Sequence, residues 1–415
     1  MKAKSFLVVL LAFAMLFALA IPASTEGTKE LNMFWSADGS ETDAMLKIIA
    51  EYEAITPGVK INLLELPFLD MSNKIMMAVS GGEPPAIART TESIISVVHE
   101  ATLDMADYID KDELLSQFVS AIENYYVVNG KVCAVPSDVT ANGMIYNKTA
   151  FDKAGVTVPQ SPDEVWTWDE FMEALALVME NGDVRYGMVI DNPSHRWSTI
   201  LYEFGGRFIS PEGPAFNSPE TIEAITFTRD LFTNNIVPKS TWLGGEDPNN
   251  MFRSGQVAVH ISGNWMMANY RDNIIDFEWG VTYMPKKVNR SSVPGGKQLA
   301  AFANTGVEQE AVDFILFATA QEVNARYCEE SLFISPRLDN ASLNYSFGSE
   351  FFEVFANELA NTIPDASYDW GYPGLFAYIG IELTEGMYEV VSGKTEPAAL
   401  AEYIHDLIQE FLDSK

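Results

Sequence analysis

Cysteine is scarce: Cys133 and Cys328 are the only two in 415 residues. Two thiols exclude a disulfide scaffold and a cysteine zinc cluster, and their wide separation leaves open whether they pair. Histidine is nearly as rare, and His99, His195, His260 and His405 are scattered without metal-ligand spacing, so no metal site is expected. Basic residues are outnumbered, with 26 Lys and Arg against 58 Asp and Glu, for a formal net charge of −32. A surface that acidic repels phosphate backbones, which excludes nucleic acid as a partner, and otherwise serves solubility. GxGxxG and GxSxG are absent, and Gly295-Gly296-Lys297 lacks the rest of a phosphate loop, so no cofactor is expected. Among 58 acids some pair will resemble a glycosidase dyad by chance, so such a pair carries no information. The sequon Asn147-Lys148-Thr149 is equally explained by chance.

Long apolar runs are missing too, with one exception. Phe6 to Ala20 is uninterrupted, follows Lys2 and Lys4, and is broken by Pro22 before a small-residue stretch. That order is a secretory signal, short for a membrane span, with a cut after Ala20 or Ala23. Residues 1–23 therefore read as a signal peptide. No cysteine lies near the cut to carry a lipid. The mature chain is expected to be secreted and soluble, in a periplasm or outside the cell.

What is present is apolar and aromatic material for sizeable cores, 47% and 12% of residues, in a chain long enough for two or three domains. Strand and helix periods alternate. Leu31–Trp35 reads as a strand, Ser40 with Asp43 as a helix start, and Met45, Ile48, Ile49 and Tyr52 as one helical face. Thr56-Pro57-Gly58 ends that helix, and Val59, Ile61 and Leu63 alternate as a second strand, giving a parallel βαβ unit. A helix over 71–79 and a short strand from Ala86 follow. Strands are predicted over 131–135, 143–146, 185–190 and 256–261, and helices over 168–179, after Ser218-Pro219, over 310–319, and along the stripe Leu400 to Phe411. Tryptophans sit beside turns: Trp35 ends the first strand, Trp166 and Trp168 flank a helix start, and Trp197, Trp242, Trp265 and Trp370 lie near Gly, Asn, Asp or Pro. Sugars suit such residues, because their axial C–H faces pack on rings while polar side chains take the hydroxyls.

Several ordered segments resemble one family. Asn129–Pro136 (NGKVCAVP), Met144–Lys148 (MIYNK), Ala150–Gly155 (AFDKAG) and Trp166–Phe171 (WTWDEF) look like the extracellular solute-binding proteins of carbohydrate ABC transporters, of the family 1, maltose-binding-protein-like type. So do Phe252–Ala258 (FRSGQVA) leading to Gly263-Asn264-Trp265, and Trp279–Pro285 (WGVTYMP). Gly81–Pro85 resembles the family's Gly-x-x-Pro-Asp turn, with Ala86 where an acid is usual. The resemblance runs from about Leu31 to the C-terminus.

It implies an α/β, two-lobed type II periplasmic-binding-protein fold, each lobe a mostly parallel sheet flanked by helices, with ligand in the cleft between. Lobe one would be 24–138 plus 286–336, and lobe two 139–285 plus 337–415. The lobes would close about crossings near Asp138 and Pro285, and an ABC permease complex would recognise the closed monomer, without catalysis. Trp265 matches the family's Gly-x-Trp platform, with Gly263 and Asn264 allowing close approach. Trp35, Ser36 and Asp38 follow the first strand, and Thr91 and Glu92 the third. Asp138 and Thr140 follow the Val-Pro segment, Arg196 and Trp197 precede Gly205-Gly206, Gly295 and Gly296 offer backbone groups, and Trp370 opens a late aromatic stretch with Tyr368 and Tyr372 beside it. The expected ligand is a mono- or oligosaccharide. A polyol phosphate drawing on Arg89, Arg196 or Arg337, a polyamine drawing on Asp38, Glu92 and Asp138, another small solute, or a carbohydrate-active enzyme are the alternatives.

Overall fold

A computed structural model describes residues 27–37, 39–191 and 193–415, so the expected signal peptide and Asp38 lie outside the described residues. Strand β1 (Lys29–Trp35) alternates, with Leu31, Met33 and Trp35 inward. Helix α1 (Glu41–Ile55) buries Met45, Ile48, Ile49 and Tyr52, and β2 (Val59–Glu65) pairs with β1 in parallel, Lys29 opposite Val59 through Trp35 opposite Glu65. Ser40 precedes α1 but does not cap it. Its hydroxyl donates to the Glu330 carbonyl at 3.2 Å, and the Glu41 carboxylate accepts from the Gly39 N–H instead, at 2.6 Å. Helix α2 (Phe68–Ser80), β3 (Ile87–Thr90) and α3 (Glu92–Val98) follow, with Thr91 capping α3 through the Ile94 N–H.

The strand expected over 131–135 is two. Lys131–Val132 pairs with Val127–Val128 in a small hairpin, and Val135 opens β4 (Val135–Thr140). After Ala141 the chain enters a second sheet as β5 (Asn142–Asn147). There Asn147 is buried and caps the next helix, which removes it as a glycosylation site. Helix α4 (Trp168–Asn181) starts with a reciprocal Thr167–Glu170 capping box. Strand β6 (Tyr186–Ile190) leads to α5 (Pro193–Glu203), and α6 (Pro219–Thr233) is capped by Ser218 with Pro219 in its first turn. Strands β7 (Val257–Gly263) and β8 (Trp279–Thr282) complete the second sheet, and β9 (Gly295–Ala301) returns to the first.

The first sheet has the order β2-β1-β3-β9-β4 and the second β8-β5-β7-β6. Both are mixed. The parallel pairs are β1–β2, β1–β3 and β6–β7, and β9 and β5 run antiparallel to both their neighbours. Helices α7 (Glu308–Ala318) and α8 (Gln321–Ser331) pack with α1 on the first sheet. Helix α9 (Ser349–Ala360) packs on β5 and β8 of the second. The chain thus passes between sheets at Ala141, over 283–294, and over 332–348. Helix α10 (Pro364–Trp370) leads into α11 (Leu375–Ser392) and α12 (Pro397–Asp413), which pack on each other and on α6. Their seam buries Leu383, Met387, Leu400, Ile404 and Ile408, each contributing about 1.5–3 kcal/mol, so Ile404→Asp would break it. Among the described residues no helix is long and apolar enough to cross a membrane.

Candidate functional site

A cavity of about 540 Å³ lies where the two sheets face each other. Strand direction explains its lining. Thr91 and Glu92 leave the carboxyl end of β3, and Thr140 ends β4. Because β9 runs antiparallel to both, its first residues Gly295, Gly296 and Lys297 lie at that same edge. From the other side come Asp191, one residue past β6, the first turn of α5 with Ser194, His195 and Arg196, then Trp265 after β7 and Trp370 at the end of α10. Phe68 and Ser72 of α2 close the rim.

The glycines are required here. A side chain at Gly296, whose φ is +147°, would place Cβ 2.3 Å from the Asp138 carbonyl, and one at Gly295 would meet Thr140 Oγ1 at 2.6 Å. The Trp265 ring folds back over Gly263, where a Cβ would sit 1.8 Å from the ring. Arg196 stacks on that ring, Cζ 3.8 Å from its centroid, while Nη1 donates to Asn142 Oδ1 at 3.2 Å and to His195 Nδ1 at 2.6 Å. One face of the expected sugar platform is therefore covered by a guanidinium. Trp370 is nearly buried, stacked on Phe376 at 3.6 Å with its indole N–H on Ser198 Oγ at 3.1 Å, and the His195 ring lies 4.4 Å from it.

The charges are tuned by these surroundings. Burial and then the neighbouring Arg196 push His195 well below its ordinary pKa, so it is neutral. Because Nδ1 accepts from Arg196, Nε2 carries the proton. Burial raises Glu92, against the opposing pull of Ser93, Lys297 and Arg196. Burial also works against the Asp191 carboxylate, but His260, Ser262 and Arg196 outweigh it and hold it below the usual range.

The structure brings Thr91, Glu92, Thr140, Arg196, Trp265, Gly295, Gly296 and Trp370 together in the cavity. It does not bring the other described candidates there. Trp35 points inward with Leu31 and Met33, fully buried under Arg89 at 4.6 Å. The Ser36 carbonyl and Asp138 Oδ2 accept from Arg89 at 2.6 and 2.9 Å, inside the first lobe. Trp197 is adjacent to Arg196 on a helix and so points about 100° away. Its indole N–H donates to Thr228 Oγ1 at 2.8 Å in the core. Gly263 and Asn264 support the loop, Asn264 Oδ1 accepting from the Ala141 N–H at 2.9 Å. Sequence reasoning passed over Asp191, His195, Lys297 and Phe68. Position just beyond a strand end would have indicated Asp191, and Lys297 follows the two glycines, but nothing local marks Phe68.

Comparisons with known proteins identify the family and the fold. Residues 47–347 match the family described as bacterial extracellular solute-binding protein. An arabinooligosaccharide-binding protein of Halalkalibacterium halodurans is 26% identical over 313 residues, 72% of this chain and 68% of its own. The GacH receptor of Streptomyces glaucescens, solved unliganded and with acarbose, superposes with a TM-score of 0.79 at 19% identity, covering 94% of this chain and 99% of its own. UgpB from Mycobacterium tuberculosis, in complex with glycerophosphocholine, gives 0.78 at 17% identity, covering 94% and 99%. At those identities the structural likeness establishes the fold alone, two α/β lobes.

Proposed function

The chain belongs to the family of bacterial extracellular solute-binding proteins, and we propose that it is the secreted receptor of an ABC importer for a mono- or oligosaccharide. One observation carries the ligand class: two indole rings from one side and hydrogen-bonding groups of both signs from both sides converge on a single cavity. A saccharide presents the complement, apolar C–H faces and a rim of hydroxyls. The arabinooligosaccharide-binding relative supports the same class. In this reading the lobe expected at 24–138 with 286–336 moves against that expected at 139–285 with 337–415, with the first crossing shifted to Ala141 because β4 runs to Thr140 in the first sheet. Closure buries the ligand, and the membrane permease reads the closed monomer. The receptor releases its sugar unchanged and catalyses nothing.

A thermal-shift screen of the chain from residue 24, against monosaccharides, arabino- and malto-oligosaccharides, polyol phosphates and polyamines, tests this. A ligand at a hundredfold over its dissociation constant adds about 2.7 kcal/mol of stability. Stabilisation by saccharides is expected, and a response confined to charged solutes contradicts it. A second reading, a polyol phosphate, is favoured by Arg196 and Lys297, which bring positive charge to the cavity from opposite sides. UgpB is a structural neighbour that holds a phosphodiester.

A further inference from the structure

We infer that Asp191 reads two neighbouring hydroxyls of the ligand and is a specificity-determining residue, held in place by His260, Tyr270 and Ser262. The inference rests on the saccharide reading and gives one cavity wall a definite partner. Strand β6 runs parallel to β7 with Val189 opposite His260 and Ile190 opposite Ile261. Asp191 is the next residue, at the cavity wall, with 27% of its side chain exposed. His260 and Ser262 are two apart on β7, so both point to one face, and both are fully buried. His260 Nε2 lies 2.7 Å from Asp191 Oδ1, and Ser262 Oγ donates to Oδ2 at 2.8 Å. Behind them the Tyr270 hydroxyl lies 2.6 Å from His260 Nδ1 and fixes the imidazole.

Each carboxylate oxygen has two in-plane acceptor positions. On each, one is filled by a buried protein donor, which among the described residues leaves one per oxygen for a group in the cavity. Two parallel acceptors on adjacent oxygens match two adjacent O–H donors. They repel a phosphate or carboxylate, so any anionic ligand would have to place its charge at the other end, toward Lys297. The low pKa imposed by His260, Ser262 and Arg196 keeps the acceptors ionised in mildly acidic medium.

The test is Asp191→Asn, which keeps shape but turns one acceptor into a donor. Wild type and variant are titrated with arabinotriose and maltotriose, and with single-deoxy analogues of whichever the wild type binds. The variant should lose about tenfold to a hundredfold in affinity. It should also stop discriminating one adjacent pair of deoxy positions, a readout that loss of scaffold alone would not give. Wild-type affinity and discrimination in the variant would overturn the inference while leaving the saccharide reading intact. If the wild type binds neither sugar nor any other saccharide of the panel, that reading falls and this inference with it. Should Asp191→Asn fail to fold, Ser262→Ala decides. It removes one of the two fixing bonds and should weaken the same hydroxyl contacts several-fold, and unchanged affinity would overturn the assignment.

Discussion

Arg89 is the residue whose loss should cost most stability while leaving the chemistry of the cavity untouched. It is fully buried and donates to the Ser36 carbonyl at 2.6 Å, to Asp138 Oδ2 at 2.9 Å and to Glu41 Oε1 at 3.3 Å, with Trp35 stacked at 4.6 Å. Burial opposes its charge, and Tyr327, Asp138 and Glu41 outweigh that and hold its pKa above the ordinary value. Replacing it with Met fills similar volume but leaves two buried carboxylates facing each other without their cation. Breaking a buried pair by removing one partner costs about 3–5 kcal/mol. Arg89→Met should therefore lose about that much in urea unfolding. The loss should be at the upper end, because one guanidinium serves three acceptors. The folded fraction should still bind saccharide, since none of these groups lines the cavity. A loss under about 1 kcal/mol would refute the buried-cluster account. Lost affinity with unchanged stability would show instead that Trp35, Ser36 or Asp138 touches ligand.

Other outcomes follow from the same geometry. Trp265→Ala should weaken saccharide binding about tenfold or more by removing both the ring and the seat of Arg196, measured by calorimetry; unchanged affinity would remove it from the site. Gly296→Ala should cost at least about 2 kcal/mol in thermal unfolding, because it needs φ +147° and clashes with the Asp138 carbonyl. Burial pushes Glu358 up to about 7 against the pull of Arg290. Its folded value thus exceeds the unfolded 4.5, so its contribution is complete below about pH 4.5 and is lost as pH rises through about 7. Across that window stability should fall by about 3 kcal/mol on its account, and Glu358→Gln should flatten the pH profile of the unfolding midpoint. Cys133 and Cys328 are free and buried, their thiols raised by burial, so a thiol reagent should label neither in the native chain and both in denaturant.

The βαβ start was legible because Leu31 to Leu63 carries uncontested periods of 2 and 3.6, and the terminal helix because its stripe is long. The helix start after Ser218-Pro219 was legible from local chemistry alone. Ser40 failed as a cap because its backbone, at φ −89° and ψ 9°, is not in the extended conformation that aims the hydroxyl oxygen at the first N–H groups of the helix. Helices α3, α5, α8, α9, α10 and α11 went unread, the last hidden behind Gly371, Pro373 and Gly374, which mark the turn between α10 and α11. At the site, proximity to a strand end located Thr91, Glu92 and Thr140. The same rule misplaced Trp35, whose inward phase on β1 decides, and Asp138, which a distant Arg89 claims. Asp191 depends on a register with β7, some seventy positions later, that no local pattern encodes.

The central claim is that a saccharide binds in the cavity between the lobes and leaves unchanged. Titration calorimetry of the chain from residue 24 with the strongest saccharide of the screen, followed by chromatography of the recovered sugar, tests it most directly. The account predicts one site per chain, affinity lost in Trp265→Ala and kept in Arg89→Met, and sugar recovered intact. Binding that ignores Trp265, or sugar recovered as cleavage products, would contradict it.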